Sequence, residues 1–258
     1  MSRTALIAPV LGLLLLAACA SSNPEQVRRA EIRRDLGTLY LNKGEPEMAI
    51  REYRAAIEAY DRDAETHFAL GEAYRRKGEF VAAEQHFLRA LDLDPGKLDA
   101  RLNLGVLYLQ QQRWTEAVEQ NRLLAEDPTF LNPARALVNM GWAQYNSKDF
   151  EGAKSSLRRA LSLDPSSYRA HVNLAILLYE QSQIVDAVRH FESALDSMEG
   201  RPVGFFGLAE AEIRFRTAMA HVQLGQRDRA VEHLRVASET GGQTEWGQKS
   251  RDYLAVLE

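Results

Sequence analysis

One pattern returns along this chain at a step of 34 residues, and a period of that length leaves few folds open. It reads Leu-Gly, an aromatic three residues on, then Ala, an aromatic and Ala. Leu36, Gly37, Tyr40, Ala49, Tyr53 and Ala56 give the first copy; Leu70, Gly71, Tyr74, Ala83, Phe87, Ala90 and Pro95 give the second. Leu104, Gly105, Tyr108 and Ala117 follow at the same step. Met140, Gly141, Ala153, Ala160 and Pro165 come 36 residues later, because 127–133 is stretched by two. Leu174, Ala175, Ala187, Phe191 and Ala194 return to 34, and Gly225, Ala230, Leu234 and Ala237 are displaced by 43. Ala, Leu, Glu, Arg and Gln dominate and strand-like runs are missing, so each unit is expected to be two antiparallel helices. Such a pair cannot bury its apolar faces alone, and neighbours must stack.

This spacing resembles the tetratricopeptide repeat over about residues 30–244. The resemblance implies an all-α fold, a right-handed superhelix or α-solenoid of six helix pairs at about 30–63, 64–97, 98–131, 134–167, 168–201 and 211–244. Residues 245–258 read as a capping helix over the open end. Gly at the eighth position lets the second helix approach the first, and Ala at the twentieth and twenty-seventh does the same between units. The last two units are weaker: Ala175 and Ala218 replace Gly. Arg201 to Gly207 forms an insertion, read either as a longer loop or as an apolar contact loop carrying Phe205 and Phe206.

The N-terminus has a different character. Arg3 precedes a nearly unbroken apolar run from Ala5 to Leu16, too short for a comfortable membrane span and laid out as a secretory signal peptide over 1–18. Leu16-Ala17-Ala18-Cys19 contains the only cysteine and resembles a bacterial lipobox. That resemblance implies diacylation of Cys19, acylation of its amine, and a lipid-anchored chain whose residues 19–29 are a tether. Ala20 in place of Asp favours the outer membrane, periplasmic face, by analogy with sorting rules. With one cysteine, no internal disulfide forms.

No motif of catalysis or cofactor binding occurs: no phosphate loop, nucleophile elbow, dinucleotide fingerprint or metal-ligand spacing. The histidines share repeat phases. His86, His190 and His233 fall at position twenty-three, His67 and His171 at four, His221 at eleven. Equivalent positions are expected to stack one repeat apart and not to gather. The reading is therefore not an enzyme, with no metal site, no small-molecule substrate and no cofactor beyond the acyl chains on Cys19. The net charge of −4, evenly mixed, gives no basic face for nucleic acid.

Function then falls to the groove lined by the first helix of each unit. Positions five, nine and twelve are almost all apolar in units three to six: Leu102, Val106 and Leu109; Val138, Trp142 and Tyr145; Val172, Ile176 and Tyr179; Phe215, Met219 and Val222. Unit two offers Phe68 but then Glu72 and Arg75, and unit one offers Arg34, Thr38 and Leu41. These positions are expected to be free of stacking duties. Covering 400 Å² of such a stripe contributes roughly 10 kcal/mol gross. A tightly wound superhelix, or the chain's own ends, is the alternative cover. Asn103, Asn139 and Asn173 share position six and suggest an amide column that holds the backbone of an extended segment.

A lipobox followed by six such repeats resembles the type IV pilus assembly lipoproteins of the PilF/PilW group, and the Tgl-type secretin pilotins in particular. The resemblance implies a partner, the PilQ-like secretin, that binds the concave face while it assembles in the outer membrane. A lipid-anchored scaffold for cell-wall, division or outer-membrane insertion machinery is the alternative.

Overall fold

The computed structural model describes residues 23–198 and 208–257, and of Leu208 and Ala209 the backbone alone. The signal peptide, Cys19, the first tether residues, and Phe205 and Phe206 lie outside the described residues. Among the latter there are thirteen helices and no strand: α1 (Pro24–Asn42), α2 (Pro46–Ala59), α3 (Ala64–Lys77), α4 (Phe80–Leu93), α5 (Leu98–Gln110), α6 (Trp114–Glu126), α7 (Pro133–Asn146), α8 (Phe150–Leu163), α9 (Tyr168–Glu180), α10 (Ile184–Asp196), α11 (Leu208–Gln223), α12 (Arg227–Gly241) and α13 (Glu245–Leu257). The fold is all-α, with consecutive helices packed in antiparallel pairs and pairs stacked as a solenoid.

The first helix starts earlier than the tether reading allows, at Pro24. Asn23 accepts the Glu25 N–H at 3.0 Å, and Pro24 occupies the first turn, where no N–H is needed. Residues 24–29 are helix, not tether.

The repeat's glycine works by absence. A Cβ on Gly37 would stand 2.6 Å from the Tyr53 ring, one on Gly71 2.7 Å from Phe87, and one on Gly141 2.7 Å from Leu157. These large side chains are fully buried in the seam between the two helices of a unit, each contributing roughly 2–3 kcal/mol of transfer free energy. Ala49, Ala83, Ala117, Ala153, Ala187 and Ala230, one per unit, are likewise wholly buried.

A second position is fixed by backbone geometry. The turn between the helices of each unit carries one left-handed residue at the fifteenth place: Gly44, Gly78, Gln112, Lys148, Ser182 and Gly225, with φ from 58° to 82°. The first helices of successive units meet along the inner wall from α1 to α9. Between α9 and α11 that contact is much weaker, while α11 meets α13. The cap docks through two glycines: a Cβ on Gly241 would lie 2.6 Å from the Gly247 nitrogen.

Unit three departs from its neighbours. Beneath Gly105 the seam holds Asn121, fully buried, its Nδ2 donating to the Ala117 carbonyl at 2.8 Å and its Oδ1 without a partner. An unpaired buried acceptor costs about 1–3 kcal/mol. Leu157 shows that a leucine fits under the corresponding glycine. Asn121→Leu is therefore expected to raise stability by about 1–2 kcal/mol, read as a higher denaturation midpoint at unchanged slope; an unchanged or lower midpoint contradicts this account of the seam.

Candidate functional site

The inner wall of units three to six holds two adjoining concavities. Leu109, Val138, Asn139, Trp142, Val172, Asn173 and Ile176 line the larger, about 510 Å³, together with Tyr168, Arg169, Glu212 and Ile213. Ile176 continues into the second, about 220 Å³, with Tyr179, Glu180, Phe191, Phe215, Arg216, Met219 and Trp246. This second cavity lies between α9 and α11, with Trp246 of the cap among its lining.

The twelve stripe residues are not equivalent. Position five is a stacking position in units three and four, contrary to the expectation from the sequence: Leu102 and Val138 are buried in one core cluster with Leu124 and Leu137. Phe215 is also buried, its ring 5.5 Å from Trp246 and 5.6 Å from Tyr253. The cap thus covers the groove end of unit six, a role beyond closing the stack. Val106 is half-buried outside both cavities and Val222 is exposed outside them. Phe68 is half-buried with Lys97 Nζ 5.3 Å over its ring, so charge roofs the groove at unit two. In unit one, Arg34 is spent on Asp63 at 2.7 Å.

What remains open is an aromatic and aliphatic wall. Trp142 stacks on Tyr145 with centroids 5.3 Å apart. The Tyr145 hydroxyl donates to Glu180, and burial together with that carboxylate pushes the phenol pKa up. Tyr179 accepts from Gln223 at 2.6 Å, and burial raises its pKa as well. The amide column is shorter than its sequence suggests. Asn103 turns back to donate to the Asp99 carbonyl of its own helix at 2.9 Å. Asn139, 7% exposed, has an unpartnered Nδ2 in the larger cavity, which Asn173 also lines. Trp246, Arg216, Glu212, Arg169 and Glu180 were missed as groove residues. Arg216 holds Glu212 at 2.8 Å and lies 5.4 Å over the Trp246 ring. Its place at position six of unit six was the available signal.

The histidines are arranged differently from the stacked columns expected. Positions four and twenty-three of one unit meet across its seam. His67 Nε2 donates to the Asp61 carbonyl at 3.1 Å, which leaves Nδ1 to accept from His86 Nδ1 at 3.1 Å. His171 repeats this, donating to the Pro165 carbonyl at 3.1 Å and accepting from His190 at 2.9 Å. Burial holds His86 down to about 4, with the neighbouring His67 adding to it, and lowers His67 and His190 too. In unit six, burial and His221 bring His233 to about 4. There the rings stack at 5.5 Å without a mutual hydrogen bond.

A profile described as tetratricopeptide repeat matches residues 34–97 and 138–202, and a second of the same description matches 74–140. The chain belongs to the tetratricopeptide repeat family. It is similar to the type IV pilus assembly protein PilF of Pseudomonas aeruginosa, 24% identical over 185 residues, covering 69% of this chain and 73% of PilF. It also resembles the BBSome complex member BBS4 of Bos taurus, 28% identical over 163 residues, which make up 62% of this chain and 30% of BBS4. Among solved structures, PilF superposes with a TM-score of 0.70 at 20% identity, covering 89% of this chain and 99% of that one. PilW, titled a widely conserved type IV pilus biogenesis factor, superposes at 0.72 and 20% identity over 85% and 97%. At these identities the two superpositions bear on the fold.

The histidine pairs make stability depend on pH with a definite sign. Below the ordinary imidazole value of 6.5 the unfolded chain takes up protons that His86, held to about 4, refuses. Their contribution is complete above pH 6.5 and is lost as pH falls toward 4. Melting followed by circular dichroism is expected to show Tm falling by roughly 3–6 °C from pH 7 to pH 5. His86→Gln with His190→Gln flattens that slope. A Tm that is level over this range, or a slope the double variant leaves untouched, contradicts the pairing.

Proposed function

We propose that this protein is an outer-membrane lipoprotein of the type IV pilus machinery. In this reading it is anchored through Cys19 and shields an extended apolar segment of the secretin in its groove. Its work is that of a scaffold and involves no catalysis. The observation that carries the reading is the open wall of Trp142, Val172, Ile176 and Tyr179, in a chain that aligns with a pilus assembly protein along most of both lengths. Support for the anchor comes from Leu16-Ala17-Ala18-Cys19, and for the outer membrane from Ala20. No helix among the described residues is long and apolar enough to cross a membrane.

The physical need is clear. A protomer destined for a membrane β-structure exposes strand edges and apolar faces before it inserts, and such strands associate edge to edge. A groove with aromatic walls covers the apolar face. The free amides of Asn139 and Asn173 bond to main chain without reading its sequence. Assembly of the secretin then withdraws the segment and frees the groove.

Trp142→Glu with Tyr179→Glu places two charges in the wall while leaving the seam residues alone. Secretin multimers on immunoblots are expected to drop about tenfold or more, for a loss of about 1.4 kcal/mol or more in binding, with helical content unchanged. Normal multimers in that variant defeat the groove as the binding site. A pull-down from solubilised envelopes that recovers a cell-wall synthase or an outer-membrane insertion complex, and no secretin, favours the alternative scaffold.

Cys19→Ser is expected to move the protein from the membrane to the soluble fraction. Retention in salt-washed membranes contradicts the lipid anchor.

A further inference from the structure

The third histidine pair differs from the other two in a way that asks for a ligand. In units two and five each pair is closed on itself: one ring donates to the other, and the acceptor ring spends its second nitrogen on a backbone carbonyl. In unit six the link is missing. His221, wholly buried on α11, donates from Nδ1 to Gln226 Oε1 at 2.7 Å. That bond fixes the tautomer and leaves an in-plane lone pair on Nε2, which has no partner. His233 Nδ1, on α12, is also buried and unpartnered. Two buried ring nitrogens without partners are costly.

The third donor comes from the preceding unit. Glu192 on α10 brings Oε1 to 3.6 Å from His221 Nε2. The three donor atoms all lie within 4.8 Å of one another. We propose that Glu192, His221 and His233 form a binding site for a divalent transition-metal ion of the zinc class. Ligand atoms on a tetrahedral zinc, at bonds of about 2.0–2.2 Å, stand roughly 3.3 Å apart. The Glu192 pair is nearly at that spacing, and the widest separation closes by about 1.5 Å. Glu192, its side chain 44% exposed, has room to move toward the ring nitrogens. Two imidazoles and one carboxylate suit zinc or cobalt better than the oxygen-seeking calcium or magnesium. The Gln226 amide on the far nitrogen of His221 is the outer contact that metal-ligating histidines commonly keep. Arg214 and Arg229 both bring positive charge toward His233, and Arg214 is held by Glu210 at 2.9 Å.

The ion would bridge α10, α11 and α12. It would join the fifth unit to the sixth at the junction that carries the longest insertion. Its role there is to lock the last unit and the cap onto the array, with the fourth coordination position left to water or to a donor from a partner.

The test uses full-length, tag-free protein in detergent, stripped with chelator, with Zn²⁺ alone and then Co²⁺ alone as probes. One ion per chain is expected by equilibrium dialysis, with a visible Co²⁺ absorption band of low coordination number. Zinc is expected to raise Tm by several degrees, as any ligand confined to the native state does. Glu192→Gln, which touches only a partly exposed side chain, and His233→Gln each weaken binding roughly tenfold or more. His171→Gln leaves it unchanged. Absence of a zinc-dependent shift, or a shift that survives in Glu192→Gln and His233→Gln, overturns the proposal. So does a shift lost in His171→Gln or in Cys19→Ser, because the ion is then held elsewhere.

Discussion

The whole array depends on how closely two helices of one unit can lie. At the eighth position of units one, two and four a hydrogen takes the place of a side chain, and a ring or branched aliphatic from the second helix fills the space down to the backbone. That contact sets the interhelical distance, and the distance sets the angle at which the next unit must stack. Alanine at the twentieth position, buried without exception, carries the same constraint between helices. Substituting any of these glycines would push a Cβ to within 2.6–2.8 Å of its neighbour, and the displacement would propagate along the wall.

Because the constraint is periodic, the fold was legible from residue types alone. Helix pairs, their order and the cap all follow from the phase of Gly, Ala and the aromatics. The start of α1 was less visible. A Ser-Ser-Asn-Pro-Glu stretch looks like a polar tether, and Asn23 is read as a helix cap only when Pro24 and Glu25 are weighed together. The broken seam at Asn121 was equally hidden: the pattern names the slot, while the buried, half-satisfied amide that fills it appears only in the packing.

The groove was legible in outline and wrong in detail, for a physical reason. Repeat phase says which way a side chain points, not what stands opposite it. Position five points inward in every unit, yet the neighbouring unit covers Leu102 and Val138, and the cap covers Phe215. The same limit applies to the histidines. Treating equal positions as one column put them far apart, whereas unequal positions within a unit, four and twenty-three, face each other across the seam. Position eleven replaces four in unit six, which is why His221 and His233 meet with different geometry and why Glu192, from another unit and beyond an insertion, was invisible as a companion.

The left-handed turn residue is glycine in units one, two and six, but Gln112, Lys148 and Ser182 occupy it in units three, four and five. A side chain in that conformation stores about 1 kcal/mol or more per turn. In a one-dimensional stack, where each unit is stabilised by itself and its neighbours, such strain stays local. It falls on three consecutive units that line most of the larger cavity, which α11 of unit six completes. The wall that a guest polypeptide would meet is therefore built largely on the units whose turns carry this strain.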